Sequence, residues 1–235
     1  MVINKIKSKK PLDRLDDNFV KYFLDEFFKR NIKLKKKFEE DNLKKSDEKI
    51  IIKNVRNELN KVYGQFWLKD EHKSFIERKE FINELYKKIF LIIGKPKTIL
   101  DLGAGLNVLT YFKDIFYYSI ELTNFDCELI KKYFYKNNIK GEVIKANLIF
   151  ERNFPKADVC FMFKILDFFD HKISEELIKC VNCKFIVASF ATETVRGRKM
   201  NYPRRGWFEV MLKRLQLKFN KFEFKNEIFY IISKG

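Results

Sequence analysis

Residues that staple or punctuate a chain are scarce here: 235 residues carry 4 cysteines, 4 prolines and 8 glycines. Cys127, Cys160, Cys180 and Cys183 are too few for a disulfide scaffold, which fits a reducing compartment. Cys180-Val-Asn-Cys183 has the gap of a zinc or redox pair, but no second Cys/His pair stands at a suitable spacing, so no metal site is expected. His171 reads as a surface loop residue. No apolar run approaches the roughly 20 residues a spanning helix needs, and the opening MVINKIKSKK has no apolar segment behind its lysines. The chain therefore reads as cytoplasmic, without a membrane span. What the sequence has in quantity is bulk and positive charge. It is 46% hydrophobic with 26 Phe, which excludes a disordered chain, and 49 Lys+Arg against 32 Asp+Glu leave a formal charge of +17. Such an excess points to a polyanionic partner, nucleic acid more readily than an anionic membrane surface.

As far as Ile93 only Pro11 and Gly64 interrupt the chain, a composition that asks for helices. Leu12, Leu15, Phe19, Val20, Phe23, Leu24, Phe27 and Phe28 recur at the spacing that lines one helix face. Ile51, Ile52, Val55, Leu59 and Val62 repeat the pattern, as do Phe81, Ile82, Leu85, Ile89 and Phe90 in a helix that stops at Gly94 and Pro96. Between the first two lies the charge-dense segment 33–49, readable equally as a solvated helix face or as an RNA contact at Lys35, Lys36 and Lys37.

After Pro96 the texture changes to short apolar runs separated by turns. TILDLG (98–103), FYYSIEL (116–122), GEVIKANL (141–148), DVCFMFKIL (158–166) and KFIVASFA (184–191) read as buried strands, with helix-forming stretches such as 124–137 and 174–181 between most of them. Alternation of this kind predicts an α/β fold with a mostly parallel sheet covered on both faces. KFEFKNE and IFYIISK predict a closing antiparallel hairpin.

The first strand ends in ILDLGAGLN (99–107). Asp101 stands at its end, and Gly103 and Gly105 let the backbone approach a ligand where open α/β sheets bind one. No Gly-Lys-Ser/Thr follows, so this is not a phosphate loop, and Val108 takes the third glycine place of the dinucleotide fingerprint. Strand-Asp-x-Gly-x-Gly is the pattern of class I S-adenosylmethionine-dependent methyltransferases. A ribose needs a carboxylate at the end of the second strand, which Glu121 supplies, and Asn147 after the third strand is placed to read an adenine edge.

Three further stretches resemble one family, the 16S rRNA (guanine-N7) methyltransferases associated with aminoglycoside resistance, the FmrO-like group. HKSFIERKEFINELY (72–86) is similar to that family's segment before the first strand. DVCFMFKIL (158–166) is similar to its fourth strand, with Phe163, Lys164 and Leu166 at the end. SFATETVRGRKMNYPRRGWFEVML (189–212) is similar to its signature after the fifth. The resemblance covers roughly residues 70–235. It implies a class I, Rossmann-like methyltransferase domain (71–235) with a seven-stranded, mostly parallel sheet, preceded by a helical basic RNA-docking domain (1–70).

The resemblance also implies roles. Arg78 would hold the methionine carboxylate of S-adenosylmethionine; His72 and Ser74 lie beside it. Asp101, Gly103, Ala104, Gly105, Glu121, Leu122, Asn147, Leu148 and Phe163 complete the expected cofactor site. Lys164, Ser189, Phe190, Tyr202 and Trp207 are the target-pocket candidates, and Arg196, Arg198, Lys199, Arg204 and Arg205 the candidates for RNA phosphates. Where the family commonly has Pro after Ser-Phe this chain has Ala191, and its glycine-rich stretch around Gly197 is shorter. The N-terminal part resembles the family's docking domain only in size, helicity and charge.

The expected reaction is methyl transfer to guanine N7 in structured RNA by a monomer, with 16S rRNA the first choice and tRNA the alternative. No general base is expected, because N7 carries a free lone pair. A Lys-, Ile- and Asn-rich composition of the kind AT-rich archaeal or thermophilic genomes produce separates the reading from drug resistance as a purpose. The reading from another class is a non-catalytic RNA-binding or ribosome-assembly factor that retains the fold. The charge is concentrated: residues 1–96 hold 25 Lys+Arg against 16 Asp+Glu, and residues 193–225 hold 10 against 3, while the stretch between is nearly neutral. Two RNA-contacting zones flanking one methyl donor are expected.

Overall fold

The structure is a computed structural model that describes residues 2–64, 67–68, 71–72, 80–105, 114–194, 197–201 and 203–235. The chain divides into two compact units, Met1–Lys73 and Ser74–Gly235.

The first unit is helical: α1 (Val2–Lys7), α2 (Asp17–Arg30), α3 (Ile32–Glu39) and α4 (Lys45–Val62), followed by a two-stranded antiparallel ribbon of β1 (Trp67–Leu68) and β2 (Glu71–His72). The apolar periodicity becomes a core of Ile6, Leu12, Leu15, Val20, Ile51, Val55 and Leu59, each no more than 1% exposed. The run beginning at Leu12 is not one helix. Leu12–Arg14 is a single 3-10 turn, Leu15 and Asp16 are extended (ψ 143° and 149°), and α2 starts at Asp17. The break buries Leu12 and Leu15 together and puts Asp16 and Asp17 at a helix N-terminus, where carboxylates are favoured. The charged segment forms α3, which buries none of its residues, and the start of α4.

The second unit is built on a seven-stranded sheet of β3 (Thr98–Leu102), β4 (Phe116–Glu121), β5 (Gly141–Lys145), β6 (Val159–Phe163), β7 (Phe185–Ala191), β8 (Lys218–Phe224) and β9 (Glu227–Ser233). The spatial order is β5-β4-β3-β6-β7-β9-β8. All neighbouring pairs from β5 through β7 are parallel, and β9 runs antiparallel to both β7 and β8. The closing hairpin therefore does not simply extend the edge: its second strand inserts between β7 and β8. β9 earns that central place by composition, since Ile228, Phe229, Tyr230, Ile231 and Ile232 are all buried, whereas β8 alternates and faces solvent on one side.

Alternation assigns the two faces. Ile99, Tyr117, Val159, Phe161, Phe163, Val187, Phe229 and Ile231 form one core with Ile82, Leu85, Tyr86 and Ile89 of α5 (Ile82–Ile93) and Ile130 and Phe134 of α6 (Asn124–Lys136). Phe190 and Tyr230 on the opposite face meet Phe208 of α8 (Gly206–Arg214) edge to face at 5.0 and 5.2 Å. Between β6 and β7 lies α7 (His171–Cys180), which buries Ile173, Leu177 and Ile178. With hydrophobic material on both faces, only the strand ends are left for chemistry.

Candidate active site

Parallel strands β3 to β7 all present their carboxyl ends on one edge. β3 ends at Leu102 and turns at once through Gly103-Ala104-Gly105. Gly103 has φ +69°, Gly105 φ +53°. A side chain on Gly103 is disfavoured by that φ, and its Cβ would lie 2.4 Å from the Ile165 Cδ1 methyl, which would have to shift. The Gly103 amide donates to Ile120 O at 2.9 Å, tying the turn to β4. The Gly105 amide donates to a carboxylate oxygen of Glu121, the last residue of β4, so turn and carboxylate hold each other.

Glu121 is half-buried beside Asp126 and Asp101. Burial first, and then the charge of Asp126, push its carboxyl up from 4.5 to about 8, against amide hydrogen bonds from Gly105 and Leu122. The geometry is fixed from behind. Thr123 Oγ1 caps α6 by accepting from the Asp126 amide at 3.1 Å and donates to Asp126 Oδ2 at 2.8 Å. Asp101, 1% exposed, accepts a hydrogen bond from the Tyr117 hydroxyl inside the sheet. Its carboxylate is committed within the core rather than presented at the edge. Past β5, the Ala146 amide donates to Glu121 O at 2.8 Å, and Asn147 follows in a turn in which its own Oδ1 accepts from the Ile149 amide at 3.1 Å. Leu148 is buried, and Leu122 half-buried, at the same edge; Ala104 is fully buried. Phe163 stacks on Phe161 with centroids 4.8 Å apart and belongs to the core wall.

A second constellation lies where β6, β7 and β9 meet. Lys164, directly after β6, has φ +57°, a strained value for a residue with a side chain. It is held there by its amide, which donates to Ser189 O at 3.0 Å and Ser189 Oγ at 3.2 Å. Its ammonium pairs with Glu227 Oε1 at 3.2 Å, and Ser189 Oγ donates to Glu227 Oε2 at 2.7 Å. Glu227 is 1% exposed and Lys164 16%. Glu227 was not singled out in the sequence because it opens a strand after a turn; the signal is a lone acid at the head of the otherwise apolar run EIFYIIS, whose register opposite Ala191 brings it beside Ser189.

Around this pair the aromatic candidates separate. Phe190 is fully buried, 6.1 Å edge-on from Trp207. Trp207 is half-buried and stacks flat on His171, centroids 4.2 Å apart and 8° between planes; His171 is the first residue of α7, not part of a loop. Of the basic candidates, Arg205 grips Asp167 with two hydrogen bonds at 2.9 and 2.8 Å and also donates to Ala191 O and Pro203 O. It braces the segment after β7. Arg204 pairs with Glu209, which Lys221 and Tyr230 also contact. Arg198 and Lys199 are exposed. In the first unit Lys35, Lys36 and Lys37 pair with Glu39, Glu40 and Asp47 at 3.6, 3.8 and 2.9 Å. His72 lies in β2, in register with Trp67; Ser74, Arg78, Arg196 and Tyr202 lie outside the described residues. Among the described residues no group of three His, Cys, Asp or Glu could hold a metal ion, and no helix is long and apolar enough to cross a membrane.

Residues 44–231 match the family model described as ribosomal RNA methyltransferase (FmrO). The chain belongs to the FmrO family. Among curated relatives it is 25% identical over 175 residues to a 16S rRNA (guanine(1405)-N(7))-methyltransferase of Micromonospora rosea. It is 28% identical over 177 residues to the enzyme of the same name from Proteus mirabilis. Each match covers 69% of this chain and 63% of the relative, so the chain spans less than two thirds of their length. The fold is shared with the 16S rRNA methyltransferase RmtF, solved in complex with S-adenosyl-L-homocysteine (TM-score 0.78, 17% identity, 100% of this chain and 97% of that one). It is shared also with the 16S rRNA methylase RmtB (TM-score 0.76, 17% identity, 100% and 97%). The FmrO fold is thus a class I methyltransferase sheet with added helices, as the alternation of strands and helices after Pro96 predicts.

Proposed function

We propose that this FmrO-family chain transfers a methyl group from S-adenosylmethionine to guanine N7 in structured RNA, small-subunit rRNA first. The observation that carries the reading is the mutual clamp of the Gly103–Gly105 turn and Glu121 at adjoining strand ends. The residues present fit the cofactor. A carboxylate pushed up to about 8 in an acidic, half-buried corner is starved of positive charge and of hydroxyl donors, and a ribose on a cationic sulfonium nucleoside offers both. Glu121 would accept from the ribose, Asn147 and Leu148 would border the adenine, and Arg78 would fork the carboxylate. When bound, the cofactor supplies an electrophilic methyl on a sulfonium.

The chain's own part is alignment and exclusion of water. Guanine N7 needs no proton removed, so nothing in the site has to act as a base. Transfer moves a positive charge onto the guanine ring, and an unpaired lysine beside it would oppose that. Glu227 neutralises Lys164, so the pair can hold and orient the base while adding no net charge. Trp207 already has one face stacked on His171, so an extruded base would stack on its other face, with Phe190 and Phe208 edge-on as its support. Arg198 and Lys199 would meet phosphates beside the pocket. An rRNA substrate supports a cytoplasmic location for this activity.

The test is incubation with tritium-labelled S-adenosylmethionine and, separately, small ribosomal subunits, naked 16S rRNA and tRNA. Label in small-subunit rRNA is expected. Label in tRNA alone would overturn the choice of substrate, and label in none would overturn the reaction.

A further inference from the structure

Unit Met1–Lys73 contains a cavity of about 460 Å³ lined by Lys5, Ser8, Lys9 and, from α4, Lys49, Ile52, Lys53, Arg56, Asn57 and Asn60. Five of its nine residues are cations and none is an acid. On α4, Lys49, Lys53, Arg56 and Asn60 stand at i, i+4, i+7 and i+11, a stripe about 16 Å long on one face. The floor is organised. Arg56 donates from Nε to Ile6 O at 3.0 Å and from Nη2 to Lys5 O and, at 2.9 Å, to Ser8 Oγ, so its guanidinium closes the carboxyl end of α1 and fixes the wall. Lys5 is paired with Glu48 at 2.7 Å. Lys9, Lys49 and Lys53 are exposed and have no ion-pair partner among the described residues. The contrast with α3 is direct, because Lys35, Lys36 and Lys37 each have an acid in reach.

We infer that this cavity, rather than the lysine run of α3, is where the helical unit grips the RNA backbone. Lys9, Lys49 and Lys53 would meet successive phosphates, and the side chains of Asn57 and Asn60 would reach sugar hydroxyls or phosphate oxygens. The inference rests on the RNA reading above and deepens it by naming the contact surface. A ladder of compact ammonium groups along a concave wall suits phosphodiesters, which need point charges and no base readout.

The experiment uses the full chain with K49E/K53E, and K49Q/K53Q as a milder pair should the reversal unfold, each compared with K49R/K53R. Binding of a fluorescein-labelled RNA hairpin cut from the small-subunit rRNA is followed by anisotropy from about 50 to 300 mM KCl. Loss of two phosphate contacts should weaken binding roughly 20-fold near 0.15 M salt and reduce the slope of log K against log salt by about 2. The arginine pair should stay near the parent, the KM for RNA should rise, and the affinity for S-adenosylmethionine should hold. Parent-like RNA affinity and salt slope in K49E/K53E would overturn the inference. So would variants that lose binding to phosphatidylserine vesicles but keep RNA. If the parent methylates no RNA while the reversal still lowers RNA affinity, the reaction is wrong and the docking surface stands.

Discussion

Glu121→Gln should make the protein more stable in alkali and worse at its work. In the folded chain the carboxyl titrates near 8 against an ordinary 4.5, because it is half-buried beside Asp126 and Asp101. A raised pKa favours the folded state while the group is protonated. That contribution is complete below about 4.5, declines as pH rises and is gone above about 8. At about 1.4 kcal/mol per pH unit the interval amounts to roughly 5 kcal/mol at most, and water at the half-exposed group brings the expected figure nearer 2–3. Glutamine keeps an oxygen that can accept from the Gly105 amide and removes the charge. Urea unfolding at pH 5, 7 and 9 should therefore show the parent losing stability across the range and the variant losing much less. Titration calorimetry with S-adenosylmethionine above pH 8, where Glu121 of the parent is ionised, should show the cost: without charge-assisted bonds to the ribose, about 1.5–3 kcal/mol, or roughly 10- to 150-fold in Kd. Equal pH slopes for parent and variant, or unchanged cofactor affinity, would refute the reasoning.

Gly103→Ala combines a φ of +69° with a Cβ 2.4 Å from Ile165 Cδ1 and should cost about 1–3 kcal/mol in thermal unfolding and weaken cofactor binding. Arg205→Ala should cost roughly 2–3 kcal/mol by releasing Asp167, whereas Arg198→Ala should leave the melting temperature alone and weaken RNA binding in an anisotropy titration. Glu209 is held at about 2, first by its hydrogen bond to Arg204, so it stabilises the fold above about 4.5 and loses that effect as pH falls toward 2. Acid titration by circular dichroism should show Glu209→Gln with a shallower loss than the parent.

The sequence carried the sheet well because its strands are short apolar runs with turns between them, a pattern that has one reading once helices alternate with strands. Glu121 was legible for the same reason, as the polar residue that ends a run. Asp101 looked equivalent and is not, because a residue within the pleat points at a face and only the register with β4 shows that Tyr117 waits there. Arg205 and Lys35, Lys36 and Lys37 looked like free charge. Asp167 is 38 residues away from Arg205, and no local pattern announces the pair. Glu227 was invisible until β9 was seen to insert beside β7, a placement fixed by the burial of both its faces rather than by chain order.

The activity proposed for this site is methylation of one guanine N7. Small subunits treated with the protein and S-adenosylmethionine, followed by borohydride and aniline and then primer extension on 16S rRNA, test it most directly. A single new cleavage that requires the cofactor and, at limiting S-adenosylmethionine, weakens with the Glu121→Gln and Gly103→Ala variants is the predicted result. Label incorporated without any new cleavage would place the methyl elsewhere than N7 and contradict the account.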